Sequence, residues 1–401
     1  MSIVLIKDST AWKGLEGEKV SLLEIIKNMI KQDPDHSISY YDYMELALYE
    51  PAIGYYSKEK VKVGKEGDFY TSSSVGDVFG ETLGDIFADM MSRLSFNSPG
   101  CLVEFGGGNG ELMAQILRKW VKSNPDLLRV VRPVMIEKSE FHRRLQKEKL
   151  ADFPVQWFEE WSELVSAKDS INGVVYSNEL LDAFPVKIAE WRNGEWKEVR
   201  VGWNEEKAEL EERLVQVKDI DLLHYLKQEE PYIPKSLGYR VEFNQDAGSW
   251  IREIGRNMVS GYLITIDYGY LRPELYLPQR KRGTVMSYRQ HIASEDVLDL
   301  PGEKDITSHV NFSYMIEEGE KHGLSHLGFF TQSQFLINGG ILSKLQSHQE
   351  SDPFHGAMSK RNRAIRQLIL PGGMGDAFKV LVHGKGVARR EVLGLEPKGW
   401  V

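Results

Sequence analysis

Gly106, Gly108 and Gly110, in the stretch VEFGGGNGEL from Val103 to Leu112, and the carboxylates Glu104, Glu137, Glu179 and Asp182 are where chemistry would reside in this chain. The three glycines follow an apolar run and lead straight into a helical pattern. Without a Cβ they allow a tight turn and a close backbone approach to a ligand, and the helix that follows offers unpaired amides. The spacing is GxGxG, and Glu111 stands where the dinucleotide fingerprint GxGxxG has its third small residue. Glu104, two residues ahead of the first glycine, suits the positive amino-acid end of S-adenosylmethionine, whereas it would repel the phosphates of NAD or ATP.

Glu137 ends the run VVRPVMIE, 27 residues after Gly110. In doubly wound folds an acid at the end of the second strand, about 20 residues beyond the glycines, accepts hydrogen bonds from ribose hydroxyls. Asn178 and Glu179 follow the apolar run Gly173 to Tyr176, and Asp182 stands three residues beyond Glu179. In a helical turn the two acids share a face, which Pro185 limits. They read either as substrate-handling groups or as structural caps. Asp267-Tyr268-Gly269 brings a further acid and an aromatic ring to the exit of YLITIDYGY. His291 and His309 lie in polar segments, GTVMSYRQH and PGEKDITSHVNF, and read as acid/base groups or as hydrogen-bonded structural residues. No metal site is expected, because His309, His322 and His326 lack a ligand spacing and the single cysteine, Cys101, is remote.

The elements that must carry these groups alternate strand and helix, which predicts an α/β fold with a parallel sheet. Ligands of such sheets bind beyond the carboxyl ends of the strands, where Gly106, Glu137 and Asn178 meet. Ser21 to Glu24 forms a capping-box pattern for a helix to about Lys31, and Ser39 caps a second from Tyr40 to Tyr49. Residues 1–74 are expected as a helical lid that ends in the polar loop GKEGDFYTSSS. The core is expected in 75–186 and 257–390. A hairpin around Asn193-Gly194 and a helical segment make up an insertion over 187–256. A second insertion, 271–325, is expected over the site.

With 401 residues and 41% apolar content the chain can bury a large core, and a net charge of −9 argues against an electrostatic grip on nucleic acid. No apolar run approaches the roughly 18 residues of a membrane span. MSIVLIKDSTAWKG has no signal-peptide core, and a cytoplasmic location is expected.

EFGGGNG, MELALYEPAIGYYS, GDFYTSSSVGDVFGE, SNELLDAFPV, ITIDYGY, GTVMSYRQH and DITSHVNF, taken in order along the chain, resemble the MidA-like family of S-adenosylmethionine-dependent methyltransferases. The resemblance implies a class I, Rossmann-like methyltransferase fold with a seven-stranded, mostly parallel sheet, a helical N-terminal region and insertions. It implies S-adenosylmethionine as cofactor, held by Gly106, Gly108, Gly110 and Glu137, with Gly67, Asp68, Phe69 and Thr71 contributing from the upstream loop. It also implies a protein arginine as acceptor, on a subunit of a respiratory or other complex. Glu179 and Asp182 would hold the guanidinium, His291 would receive the released proton, and Asp305 or His309 would steer the incoming peptide. Two other readings stay open at this point: a catalytically silent S-adenosylmethionine-binding assembly factor, and a nicotinamide-dependent oxidoreductase.

Overall fold

The computed structural model describes residues 21–59, 72–95, 99–168, 170–347, 356–389 and 391–396. Ser21 caps helix Leu22–Gln32 through the reciprocal bonds of a capping box, its side chain accepting from the Glu24 amide while the Glu24 carboxylate accepts from the Ser21 amide. A short strand, β1 (Ser37–Ser39), leads into helix Tyr40–Tyr49, which Ser39 and Asp42 cap in the same way.

Helix Val78–Ser92 delivers the chain to β2 (Gly100–Phe105), which is followed by helix Glu111–Ser123 and then β3 (Val131–Ile136), β4 (Gln156–Phe158) and β5 (Ile171–Asn178). The chain next leaves this layer to build β6 (Lys187–Arg192), β7 (Glu195–Asn204), β8 (Glu209–Gln216) and β9 (Arg240–Phe243). It returns through helix Gln245–Asn257 to the long β10 (Met258–Tyr270). Three short strands, β11 (Met286–Arg289), β12 (Ile292–Ser294) and β13 (Asp305–Thr307), form a small antiparallel sheet. After them come β14 (Val310–Asn311), helix Phe312–Lys321, β15 (Ser325–Thr331) and finally β16 (Phe378–Lys385).

The main sheet runs β15-β16-β10-β5-β2-β3-β4, with β14 paired to the end of β10. Its strands are parallel except β16, which is antiparallel to both neighbours. This is the expected seven-stranded, mostly parallel methyltransferase sheet. Helices cover both faces, so the central strands read as continuous apolar runs and not as alternation. One face packs Phe79, Phe87, Trp120 and Phe335, the other Trp161, Ile251, Phe312 and Met315. The chain proceeds from β2 outward to β4 and then crosses back to β5 on the opposite side. That reversal opens a crevice at the carboxyl ends of β2 and β5.

The second layer is a five-stranded sheet, β1-β7-β6-β9 with β8 on β7. The two N-terminal helices pack on it, burying Ile26, Tyr43 and Met44 against Ile188, Val199 and Val201. The insertion over 187–256 is therefore more than a hairpin and a helix. β8 is an edge strand whose charges, Glu209, Glu211, Glu212 and Arg213, hide a two-residue period from the sequence. The polar segments around His291 and His309 form β11 to β13, which are too short for a two-residue period to show in the sequence. Within 271–325, helix Phe312–Lys321 packs on the main sheet rather than over the site. Among the described residues no helix is long and apolar enough to cross a membrane.

Candidate active site

A cavity of about 1810 Å³ opens at the reversal point of the main sheet. Single-ligand pockets occupy roughly 300–1,000 Å³, so it has room for a cofactor and an acceptor together. Glu104, Gly106, Gly108, Glu137, Asn178, Glu179, Asp182, Asp305 and His309 all line it.

At one end stands the glycine loop. Gly106, Gly108 and Gly110 have φ of +61°, +50° and +78°, the left-handed region that favours glycine. A Cβ at Gly106 would lie 2.6 Å from Leu180 Cδ1, whereas one at Gly108 would meet nothing within 4 Å. The backbone at Gly108 is thus bare toward open space, as close approach to a ligand requires. Glu104 is only 2% exposed, and its Oε2 has no hydrogen-bond partner. Burial pushes its carboxyl up to about 8; a hydrogen bond with Tyr176 opposes the shift and the charge of Glu137 adds to it. Glu137 follows β3, where its Oε1 accepts from the Ser139 amide at 2.9 Å and its Oε2 from Gln146 Nε2 at 3.2 Å. Gln146 also donates to the Gly108 carbonyl at 2.9 Å, tying the loop to the acid. Sequence reasoning missed Gln146, since nothing in QKEKL announces a glutamine that turns inward. An orphaned acid oxygen, a loop open at Gly108 and a carboxylate at the end of β3 together fit S-adenosylmethionine.

The other end is a set of acids. The main chain at Glu179 has φ +55°, and Asp182 lies in a 3-10 turn, Leu181–Ala183, so the pair does not share the helical face that its spacing suggested. Both side chains line the cavity nonetheless. Glu179 Oε1 accepts from the Ser72 amide at 3.3 Å and from Asn178 Nδ2 at 2.9 Å. Asp267 holds the turn: it accepts from the amides of Leu180, Leu181 and Tyr268 at 3.1, 2.8 and 2.8 Å. The Asp182 carbonyl accepts from the Ser308 amide at 2.8 Å, and Tyr56 donates to Asp305 Oδ1 at 2.9 Å. Burial, then the charge of Asp267, pushes Glu179 up to about 8. Burial and the charges of Asp267, Asp305 and Glu179 hold Asp182 well above the usual carboxylate range. Asp267 rises to about 7 through burial, against the pull of its amide donors. Among the described residues no lysine or arginine pairs with Glu179 or Asp182. Such a set of acids accepts a cation with several N–H donors.

His309 keeps a buried Nδ1 without a partner, and burial, with the charge of Arg280 nearby, lowers it to about 4, so it is neutral. His291 is a correction. It sits exposed in the turn between β11 and β12, with φ +63° after Gln290 at +50°, and it does not line the cavity. A tight antiparallel turn needs two such residues and carries them outward. Gly67, Asp68, Phe69 and Thr71 lie outside the described residues, although the loop's described end reaches the site through Ser72. Among the described residues no cluster of three metal-ligating side chains occurs.

Residues 82–330 match the model of a family described as "Putative S-adenosyl-L-methionine-dependent methyltransferase". The chain is 27% identical over 377 residues to the Protein arginine methyltransferase NDUFAF7, mitochondrial, of Danio rerio, which covers 85% of this chain and 82% of that protein. The Homo sapiens protein of that name is 25% identical over 362 residues, covering 84% and 78%. A crystal structure of a Burkholderia thailandensis superfamily member bound to S-adenosyl-homocysteine superposes with a TM-score of 0.79 at 28% identity, over 92% of each chain. These findings favour neither the oxidoreductase nor the silent assembly factor.

Proposed function

Because the chain belongs to this family of S-adenosylmethionine-dependent methyltransferases, we propose that it methylates an arginine of a partner protein. The relatives' names supply the acceptor class, and one observation in this molecule carries it: Asp182, buried, and Glu179, partly buried, pair with no lysine or arginine among the described residues and share the cavity with the glycine loop. The cytoplasmic location belongs to the same proposal; the relatives' names are mitochondrial.

The loop from Gly106 to Gly110 and Glu137 hold the cofactor, and Glu104 meets its amino-acid end. When bound, S-adenosylmethionine supplies a methyl group already activated on a sulfonium. The protein therefore has to align the acceptor nitrogen, exclude water and take up a proton. A guanidinium entering the acid set pairs with Glu179 and Asp182 and ionises them, since an adjacent cation favours the charged carboxylate. In the transfer the N–C bond would form as the methyl–sulfur bond breaks and the thioether leaves, and the nitrogen would shed one proton. Glu179, whose proton affinity burial has raised, stands ready to accept it, and His291 has no part in the step.

The test is to incubate the protein with methyl-labelled S-adenosylmethionine and a lysate from a strain lacking it, then map the label by mass spectrometry. Label on protein arginines is expected. Glu179→Lys should keep cofactor affinity within a few-fold and abolish transfer. Label on a small metabolite, or normal transfer by Glu179→Lys, overturns the arginine reading.

A further inference from the structure

The acids that would hold the acceptor are surrounded by tyrosines from three different parts of the chain. We propose that Tyr49, Tyr56, Tyr268 and Tyr288 form, around Asp182 and Asp305, an aromatic box that admits a flat guanidinium and refuses the ammonium of lysine. The inference rests on the arginine reading above and names the residues that set its specificity.

All four tyrosines line the cavity. Tyr49 ends helix Tyr40–Tyr49, and the turn after it folds back, the Tyr56 amide donating to the Leu48 carbonyl at 2.8 Å. The two rings stack with centroids 5.6 Å apart and planes 17° from parallel, and Tyr55 props Tyr56 edge-on at 5.1 Å. Their hydroxyls are committed to the walls: Tyr49 donates to the Ala183 carbonyl at 2.8 Å and Tyr56 to Asp305 Oδ1 at 2.9 Å. Tyr288 on β11 stands opposite Asp305 on β13 in register. Tyr268 lies near the end of β10 beside Asp267, its ring centroid 4.0 Å from that of Phe378. Burial raises all four phenols, and the nearby acids raise them further, Asp305 first at Tyr49 and Tyr56, Glu179 at Tyr268 and Asp182 at Tyr288. The phenols thus stay neutral.

Carboxylates alone do not tell arginine from lysine, because both bring a cation. Aromatic walls do. A guanidinium is planar, weakly hydrated and able to stack on a ring while its fork meets a carboxylate, whereas an ammonium is a compact and strongly hydrated charge that cannot stack and loses more of its hydration on entering a box walled by rings. Only Tyr268 comes from the main sheet. The N-terminal segment and the small β11–β13 sheet supply the rest, so acceptor choice is built outside the methyl-transfer layer.

Nα-acetyl-arginine amide and Nα-acetyl-lysine amide, titrated into the full chain saturated with S-adenosyl-homocysteine, test this, with binding read by ligand NMR. The arginine probe should bind at least tenfold tighter. Tyr49→Leu and Tyr56→Leu should each weaken the arginine probe about tenfold and the lysine probe less than threefold, bringing the ratio near one. Tyr56→Phe, which keeps the ring and loses the bond to Asp305, should retain most of the preference. Unchanged S-adenosyl-homocysteine affinity in each variant reports an intact fold. If the arginine probe binds and the leucine variants keep its preference, or if both probes bind wild type equally, the box fails while the arginine reading stands. If neither probe binds wild type and the label falls on something other than arginine, both fail together.

Discussion

At the scale of single residues, the site depends on acids largely withdrawn from solvent. Glu104 illustrates the consequence. With its carboxyl pushed up to about 8, it carries a proton at pH 7, and a cationic amino group beside it favours the ionised form. Binding of S-adenosylmethionine should therefore release a proton, and affinity should rise from pH 6.5 toward 8. Calorimetry at pH 7 in two buffers of different ionisation enthalpy reads that release, and Glu104→Gln should remove it. A release that persists in the variant assigns the proton elsewhere. Glu137 has a different task. If it accepts the ribose hydroxyls, Glu137→Ala loses charge-assisted bonds of about 1.5–3 kcal/mol each, partly offset by water. Affinity for the cofactor should fall at least tenfold. An unchanged affinity in a folded variant would leave Glu137 a structural role, such as its bonds to Ser139 and Gln146.

At the scale of elements, the insertion has a joint with the core that no motif marks. Glu229, at the end of helix Ile220–Glu229, is fully buried, and it accepts from Arg272 Nε at 2.8 Å and Nη2 at 2.6 Å. Tyr276 donates to it at 2.9 Å and Asn311 Nδ2 at 3.1 Å. Asn311 in turn caps helix Phe312–Lys321, two residues after His309. The helix of the insertion is thereby fastened to the strand end that carries the cavity wall. Removing one partner of such a pair strands the other's charge, at a cost of about 3–5 kcal/mol. Glu229→Leu should lose about 3 kcal/mol in chemical denaturation, somewhat eased because Arg272 also pairs with Glu317. The double variant Glu229→Leu, Arg272→Leu should recover part of the loss. A double variant no better than the single one would show that packing, not charge, holds the joint.

For the whole molecule, buried acids make stability depend on pH in an unusual direction. Glu104 and Glu179 are raised to about 8 and Asp267 to about 7 in the folded chain. Between about pH 4.5 and 8 the folded state holds protons that the unfolded chain has given up, so stability declines as pH rises. The contribution is full below the unfolded carboxylate pKa and is lost as pH passes 7 to 8. Thermal unfolding without cofactor should thus give a lower Tm at pH 8.5 than at pH 6. Glu179→Gln should raise Tm by a few degrees at pH 8.5 and leave it nearly unchanged at pH 5. A Tm that climbs from pH 6 to 8.5 in the wild type would show these acids to be better solvated than their burial implies.

The sequence alone determined the sheet, the glycine loop and the acid after β3. These follow from local rules: apolar runs bounded by glycines, capping boxes at Ser21 and Ser39, and an acid at a set distance from a turn. It also marked Glu179 and Asp182, because acids directly after a buried strand stand at a sheet's ligand edge. Only the tertiary structure decided how those acids behave. Helical spacing misjudged Glu179, whose backbone is left-handed, and no spacing shows that Asp267 is spent on the amides of Leu180 and Leu181 in that turn and of its own neighbour Tyr268. His291 and His309 look alike in the sequence. Folding sends one into an exposed hairpin turn and the other into the cavity wall, because strand pairing between β11 and β12 fixes which way the chain faces. Gln146 and Tyr56 are legible only once distant segments meet. Their roles arise from contacts with Gly108 and Asp305, and such contacts leave no periodic trace in the chain that makes them.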